Sequence, residues 1–371
     1  MSDLYGQYMK IKEEIDTAIG EVIRSSAFIQ GKQVGEFADH LRLYTGSRHV
    51  IPCANGTDAL QIALMALGLQ PGDEVIVPAF TYVASAEVIG LLKLTPVMVD
   101  VDYDTFNVTG AHIAPAISPK TKAVIPVHLF GQSCPMAEIT ELARSHNLFV
   151  IEDNAQALGA VYTFPDGRKQ HTGTIGQIGC TSFFPSKNLG AYGDGGAMFT
   201  QSDTLATLLK MISTHGQEKK YCHKVLGCNS RLDTLQAAIL DVKLKYLDQY
   251  AAHRYQAAQY YTRNLTGIDG LIPPRESPWS THVYHQYTLK VTGGRRDELK
   301  SYLAERGIPS MIYYPRPLQD QEAFAPITRT GGLLTNATRL CKEVLSLPLD
   351  TEITHETQDY IISQIRAFFG A

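Results

Sequence analysis

The stretch Thr181-Ser182-Phe183-Phe184-Pro185-Ser186-Lys187-Asn188-Leu189-Gly190 places a lysine between a short aromatic run and the glycine-rich Asp194-Gly195-Gly196-Ala197. Phe183, Phe184, Pro185 and Leu189 hem this lysine in, which predicts a partly desolvated ammonium. Desolvation disfavours the charged form and lowers the pKa, leaving a nucleophilic amine near neutral pH. Such an amine forms Schiff bases with carbonyls, including the aldehyde of pyridoxal phosphate (PLP). A solvated lysine in a turn explains the motif taken alone. The PLP reading makes further demands: an acid for the pyridine nitrogen, a phosphate cup and something to cover the ring.

Three other stretches bear on those demands. In Ala54-Asn55-Gly56-Thr57-Asp58 a Gly-Thr pair stands at an expected strand-to-helix junction. Free backbone N–H groups and a hydroxyl there bind phosphate, helped by the helix dipole; ordinary helix capping is the competing reading. Glu152-Asp153-Asn154-Ala155-Gln156 follows an expected buried strand. An acid in that position needs a partner. It is a helix cap, half of a core ion pair, or the group that bonds the pyridine nitrogen of PLP and keeps it protonated. In the last case Asp153 is that acid, and Gln156 lies on the same side, within reach of the ring hydroxyl. Tyr82, after Pro78-Ala79-Phe80-Thr81, either stacks on a flat ring or packs in the core. Ser182, just upstream of Lys187, adds a further phosphate donor. No GxGxxG follows a strand, and there is neither a GxxxxGK[ST] phosphate loop nor an HExxH zinc site.

The elements that must position these groups follow from the apolar spacing. Ile11, Ile15, Ile19 and Ile23 predict a helix over 3–25, and Val34, Phe37, Leu41 and Tyr44 a second one. Strands are expected at 48–53, 74–77, 96–99, 123–127 and 148–151, with helices at 57–67, 82–92 and 136–145 between them. This alternation predicts an α/β fold, a mostly parallel sheet flanked by helices, with function at the carboxyl ends of its strands. Leu235, Ile239, Val242, Leu244, Leu247 and Tyr250 predict one long helix leaving the cofactor-binding part. Strands at 284–291 and 308–313 and helices at 296–306 and 354–369 predict a smaller α/β domain. The expected division is 1–250 for the N-terminal helices and PLP-binding domain and 251–371 for the small domain.

Composition narrows the class. The chain has 371 residues, 44% of them hydrophobic, and a formal net charge of −4. That charge offers no basic footprint for nucleic acid, and no apolar run approaches the roughly 20 residues of a membrane helix. The six cysteines form no CxxC pair, which implies neither disulfides nor a cysteine-rich metal site. A cytoplasmic setting is the simplest expectation.

Taken with Asn229-Ser230-Arg231-Leu232-Asp233, these motifs resemble the DegT/StrS sugar aminotransferases, PLP enzymes with the aspartate aminotransferase fold (fold type I). The resemblance runs from Phe28-Ile29-Gln30-Gly31 to Ser346-Leu347-Pro348. It implies Lys187 as the Schiff-base residue, Asp153 as pyridinium partner, Gln156 as ring-hydroxyl contact, and Gly56, Thr57 and Ser182 as phosphate ligands. It implies Tyr82 as the stacking aromatic and Asn229 as a phosphate contact reaching across a homodimer with two shared active sites. Ser26, Phe28, Ser186, Arg231, Tyr313 and Tyr314 fall at positions implied to meet the substrate. Tyr313 stands where many relatives carry histidine, and Ser26 and Phe28 where UDP-sugar relatives carry Gly and Tyr. The implied reaction takes the amino group of L-glutamate to a nucleotide-linked keto sugar. The likeness is greatest to enzymes acting at C3 of UDP-2-acetamido-3-keto-glucuronate for surface polysaccharide. The alternatives are a dTDP-3-keto-6-deoxyhexose, amination at C4, and a PLP-bound regulator without turnover. Relatives that dehydrate carry histidine in place of the lysine, and Lys187 argues against that chemistry.

Overall fold

The computed structural model describes residues 3–371. In its large sheet, β1 (His49–Cys53), β2 (Glu74–Pro78), β3 (Thr95–Val99) and β4 (Thr121–Val124) are followed by β5 (Phe149–Asp153), β6 (Ile178–Ser182) and β7 (Gly196–Thr200). Further along lie β8 (Leu271–Ile272), β9 (Tyr287–Val291), β10 (Arg329–Thr330) and β11 (Val344–Leu347). Eight strands join in the order β1-β7-β6-β5-β4-β2-β3-β10. Only β7 runs against the rest. All five residues of β2 and of β7 are buried, the pattern of strands covered on both faces. The fold is therefore the mostly parallel, helix-flanked sheet expected from the alternation.

Apart from one turn at Gly110–Ile113, the helices are α1 (Leu4–Lys10), α2 (Lys12–Ser25), α3 (Lys32–Thr45), α4 (Gly56–Ala66), α5 (Ala84–Leu91), α6 (Met136–Ser145) and α7 (Asp203–Ile212). Then come α8 (Thr234–Leu244), α9 (Leu247–Leu265), α10 (Arg296–Glu305), α11 (Thr335–Glu343) and α12 (His355–Phe369). Phe37 and Leu41 of α3 pack with Phe183, Leu240 and Leu244. The antiparallel sheet β8-β9-β11 shares a separate apolar cluster with α9, α10 and α12, built on Tyr261, Leu289, Leu303 and Ile365.

Four expectations need correction. The helix over 3–25 is two helices broken at Ile11, and Ile23 is 55% exposed. A strict four-residue repeat gains about 40° around the axis at each step, because 3.6 residues make a turn. Ile11 and Ile15 thus meet Ile239 and Val242, while Ile23 has swung off that face. The long helix after Leu232 is α8 and α9, separated at Lys245 and Tyr246. Residues 308–313 form no strand, and only Met311 makes an isolated bridge, to Ser346; Pro309 removes a backbone donor in that stretch. The strand expected from Tyr284 starts at Tyr287, because Tyr284 has a φ of 43°, outside the β region.

Candidate active site

The carboxyl ends of β2, β5 and β6 and the N-terminus of α4 converge on one cavity of about 500 Å³. Lys187, Asp153, Gln156, Gly56, Thr57 and Ser182 all line it. So do Tyr82, Ser186, Tyr313 and Tyr314. The residues the sequence scattered over more than half the chain thus share a single wall.

Asp153 closes β5 and is buried. Its Oδ2 accepts from the Ser85 hydroxyl at 2.7 Å, and its Oδ1 from the Ala155 N–H at 3.1 Å. Ser85, fully buried on α5, was not singled out from sequence; a serine inside an apolar helix gave no distinguishing signal. Its partner is set by tertiary packing alone. The neighbouring Glu152 points to the other face of the strand. There its carboxylate accepts from the N–H groups of Gly173, Ile175 and Gly176 at 2.8, 2.6 and 2.6 Å. It also meets His128 Nε2 at 2.8 Å. The Cys134 N–H donates to His128 Nδ1 at 3.2 Å, so Nε2 carries the proton of this fully buried imidazole. The two acids at the strand end thus have different surroundings: Glu152 is paired in the core, and Asp153 lines the cavity.

Lys187 follows the turn after β6. Burial pulls its amine down to about 8, against the upward pull of the Asp153 carboxylate. The expected desolvation is present, but of the two flanking aromatics only one borders the lysine's cavity. Phe183 packs against Phe37, ring centroids 5.4 Å apart, and is not part of the cavity wall, whereas Phe184, though 53% exposed, is part of it. The cavity wall itself desolvates the amine, with His285 among the residues facing it. Gln156 is fixed at both ends of its amide. Oε1 accepts from the Phe130 N–H at 2.7 Å, and Nε2 donates to the Tyr314 hydroxyl at 3.1 Å. Burial raises the Tyr314 phenol well above its ordinary range.

At the N-terminus of α4, Asn55 is the cap, its side chain accepting from the Asp58 N–H at 2.8 Å. With capping done by Asn55, the hydroxyl of Thr57 needs no capping role. Gly56 sits so close to β6 that a Cβ there would lie 2.7 Å from that of Ser182. A Cβ on Gly196 would likewise lie 2.5 Å from the Asn55 carbonyl. These close approaches make a cradle of backbone N–H groups and two hydroxyls, which fits a phosphate. An acid, a lysine and that cradle in one cavity fit PLP as a whole.

The remaining residues lie outside this cavity. Ser26 ends α2 with φ 55°, and Phe28 is 44% exposed. Asn229 and Arg231 border a second cavity of about 490 Å³. The two cavities share Asn55 and Asp194 as lining residues.

A cavity at the carboxyl edge of a mostly parallel sheet, lined by a lysine, an acid and a phosphate-sized cradle, fits a PLP enzyme, a class that includes the aminotransferases. The chain belongs to the DegT/DnrJ/EryC1/StrS aminotransferase family, whose model matches residues 9–366. It is 45% identical to a "Pleiotropic regulatory protein" of Geobacillus stearothermophilus, over all of this chain and 98% of the relative. It is 43% identical to the UDP-2-acetamido-2-deoxy-3-oxo-D-glucuronate aminotransferase of Pseudomonas aeruginosa, over 94% of each chain. A DegT/DnrJ/EryC1/StrS aminotransferase from Brucella abortus superposes with a TM-score of 0.95 at 39% identity, covering 100% of this chain and 99% of the other. NtdA from Bacillus subtilis, solved with bound cofactor PMP, superposes at 0.89 with 31% identity, covering 98% and 82%. Among the described residues no helix is long and apolar enough to cross a membrane.

Proposed function

We propose that this chain is a PLP-dependent enzyme that transfers the amino group of L-glutamate to C3 of UDP-2-acetamido-3-keto-glucuronate. The observation that carries the PLP assignment is Lys187 in one cavity with Asp153 and the Gly56 cradle, its amine pulled down to about 8. The sugar assignment is supported by the likeness to the P. aeruginosa enzyme over 94% of each chain.

Lys187 Nζ is the group that would hold the cofactor aldehyde. Its free amine would take the proton from the donor's α-carbon as general base and return one as general acid. Asp153, oriented by Ser85, holds a proton on the pyridine nitrogen. PLP, when bound, supplies the electron sink that spreads the carbanion charge. Gly56, Thr57 and Ser182 hold the phosphate, Gln156 meets the ring hydroxyl and Tyr82 covers the ring. Ser186, Tyr313 and Tyr314 face the sugar, joined by Ser26, Phe28 and Arg231 from a second copy of the chain. Asn229 crosses the same homodimer interface to the phosphate. Its exposure, with that of Phe28 and Ile29, supports this reading. Residues 1–250 act as the cofactor unit and 251–371 as the smaller one, apart from β10, which joins the large sheet.

A visible absorption titration of the PLP-loaded protein with amino-sugar products tests this. Loss of the cofactor's resting band with UDP-2-acetamido-3-amino-glucuronate, and not with dTDP-3-amino-6-deoxyhexoses, is the expected result. The opposite pattern assigns the deoxysugar. A second reading, a PLP-bound regulator, has the G. stearothermophilus likeness in its favour. It predicts a stable band that no sugar and no L-glutamate discharges.

A further inference from the structure

The turn that precedes β9 is held in an unfavourable conformation. Tyr284 has a φ of 43°, a region costly for a bulky side chain. Its ring stacks on His282 at 3.7 Å and 3°. Its N–H donates to His282 Nδ1 at 3.0 Å, and its hydroxyl to Glu276 Oε1 at 2.8 Å. Gly131, at φ 114°, leaves no room for a side chain; a Cβ there would lie 2.9 Å from the backbone nitrogens of Tyr284 and His285. The buried Arg254 guanidinium reaches the carbonyls of Tyr284 and His285, each at 3.5 Å. Packing this extensive around a strained residue suggests that the turn's product matters. That product is a pair of side chains, His285 and Gln286, in the wall of the cavity that holds Lys187.

Each of the two has one polar atom buried and without a partner: His285 Nδ1 and Gln286 Oε1. The atom left for the cavity is Nε2 in both. A dry N–H costs more than a dry acceptor, which places the imidazole proton on Nε2 and keeps the Gln286 amide in this orientation. Burial, with the charges of Lys187 and Arg254, pushes the His285 imidazole well below its usual range, so the ring is uncharged at neutral pH. Among the described residues of a single chain no arginine lines this cavity. Two adjacent N–H donors with no acceptor of their own match an acceptor-only group, a carboxylate.

We propose that His285 Nε2–H and Gln286 Nε2–H grip the α-carboxylate of the amino-acid donor. This rests on the aminotransferase reading above and names how its donor is held. The position selects the α-carboxylate. That group is one bond from the α-carbon that Lys187 deprotonates, and His285 lies close enough to Lys187 to feel its charge. The carboxylate of a uronate sugar is on C5, away from a reacting C3.

The test is calorimetric binding to the PLP-loaded full chain, with glutarate as the unreactive donor mimic and UDP and UDP-glucuronate as sugar-side probes. His285→Phe and Gln286→Glu are expected to weaken glutarate at least tenfold while UDP binding stays within about twofold. Glutarate bound as tightly by both variants as by the wild type overturns the proposal. Weakening confined to UDP-glucuronate moves the carboxylate to the sugar and overturns the donor assignment. Gln286→Glu, nearly isosteric and only half-buried in the native chain, keeps the test standing if His285→Phe does not fold. The two levels separate in the wild type. A chain that neither binds glutarate nor makes 2-oxoglutarate from L-glutamate refutes the aminotransferase reading. A competent wild type with unaffected variants refutes only the grip.

Discussion

Lys187 carries a testable pH signature. A lysine whose native pKa is pulled from 10.5 to about 8 stays deprotonated in the folded chain over the interval between those values. The unfolded chain binds the extra proton there, so this group's contribution to stability rises with pH from about 8 to about 10.5. The same shift governs reactivity. Capture of PLP by the unloaded protein should accelerate through a midpoint near pH 8 and vanish in Lys187→Ala. Stopped-flow absorbance across pH measures it, and a midpoint near 10.5 would contradict the burial argument. Glu152 makes the opposite case of a charge buried for structure. Glu152→Ala removes four hydrogen-bond acceptor contacts and leaves His128 and three N–H groups dry. Each buried donor left without a partner costs about 1–3 kcal/mol, so a loss of at least about 4 kcal/mol is expected, read from urea denaturation. A loss under about 1 kcal/mol would mean that water replaces the carboxylate.

At the scale of elements, the site depends on how closely α4 approaches β6. Gly56→Ala puts a methyl 2.7 Å from Ser182 Cβ. One of the two elements must shift, at a cost of about 1–3 kcal/mol. Because both supply phosphate ligands, PLP should dissociate at least about tenfold more readily, measured by equilibrium dialysis. Unchanged PLP affinity would remove this junction from the phosphate cup. The junction was legible in the sequence because a Gly-Thr pair at a strand-to-helix boundary has local causes. The break between α8 and α9 was not. Leu244 and Leu247 are both buried in one cluster, and a pattern of apolar spacings alone does not show where the axis turns.

At the scale of the molecule, the site residues divide into those lining the Lys187 cavity and those outside it. Asn229, Arg231, Ser26 and Phe28 make up the second group. If two copies share each site, Lys187→Ala and Asn229→Asp chains are separately inactive. Refolded together they should recover about a quarter of wild-type activity, since half the dimers regain one of two sites. No recovery, with mixed dimers present by mass spectrometry, would refute sharing.

The sequence by itself pointed to the chemistry and to most of the order of elements. Apolar periodicity is a local consequence of helix and strand geometry, and a lysine, an acid and a Gly-Thr junction carry their reactivity in their side chains. The family resemblance implied that Tyr313, in place of a histidine, would meet the substrate, and the structure put it in the cavity wall. Only the tertiary structure decided what surrounds each group. It packed Phe183 against Phe37, paired Asp153 with Ser85 and Glu152 with His128, and strained Tyr284 so that His285 and Gln286 face the cavity. Those contacts join residues distant in the chain. Burial, partner and donor direction are properties of that packing, and no spacing along the chain encodes them.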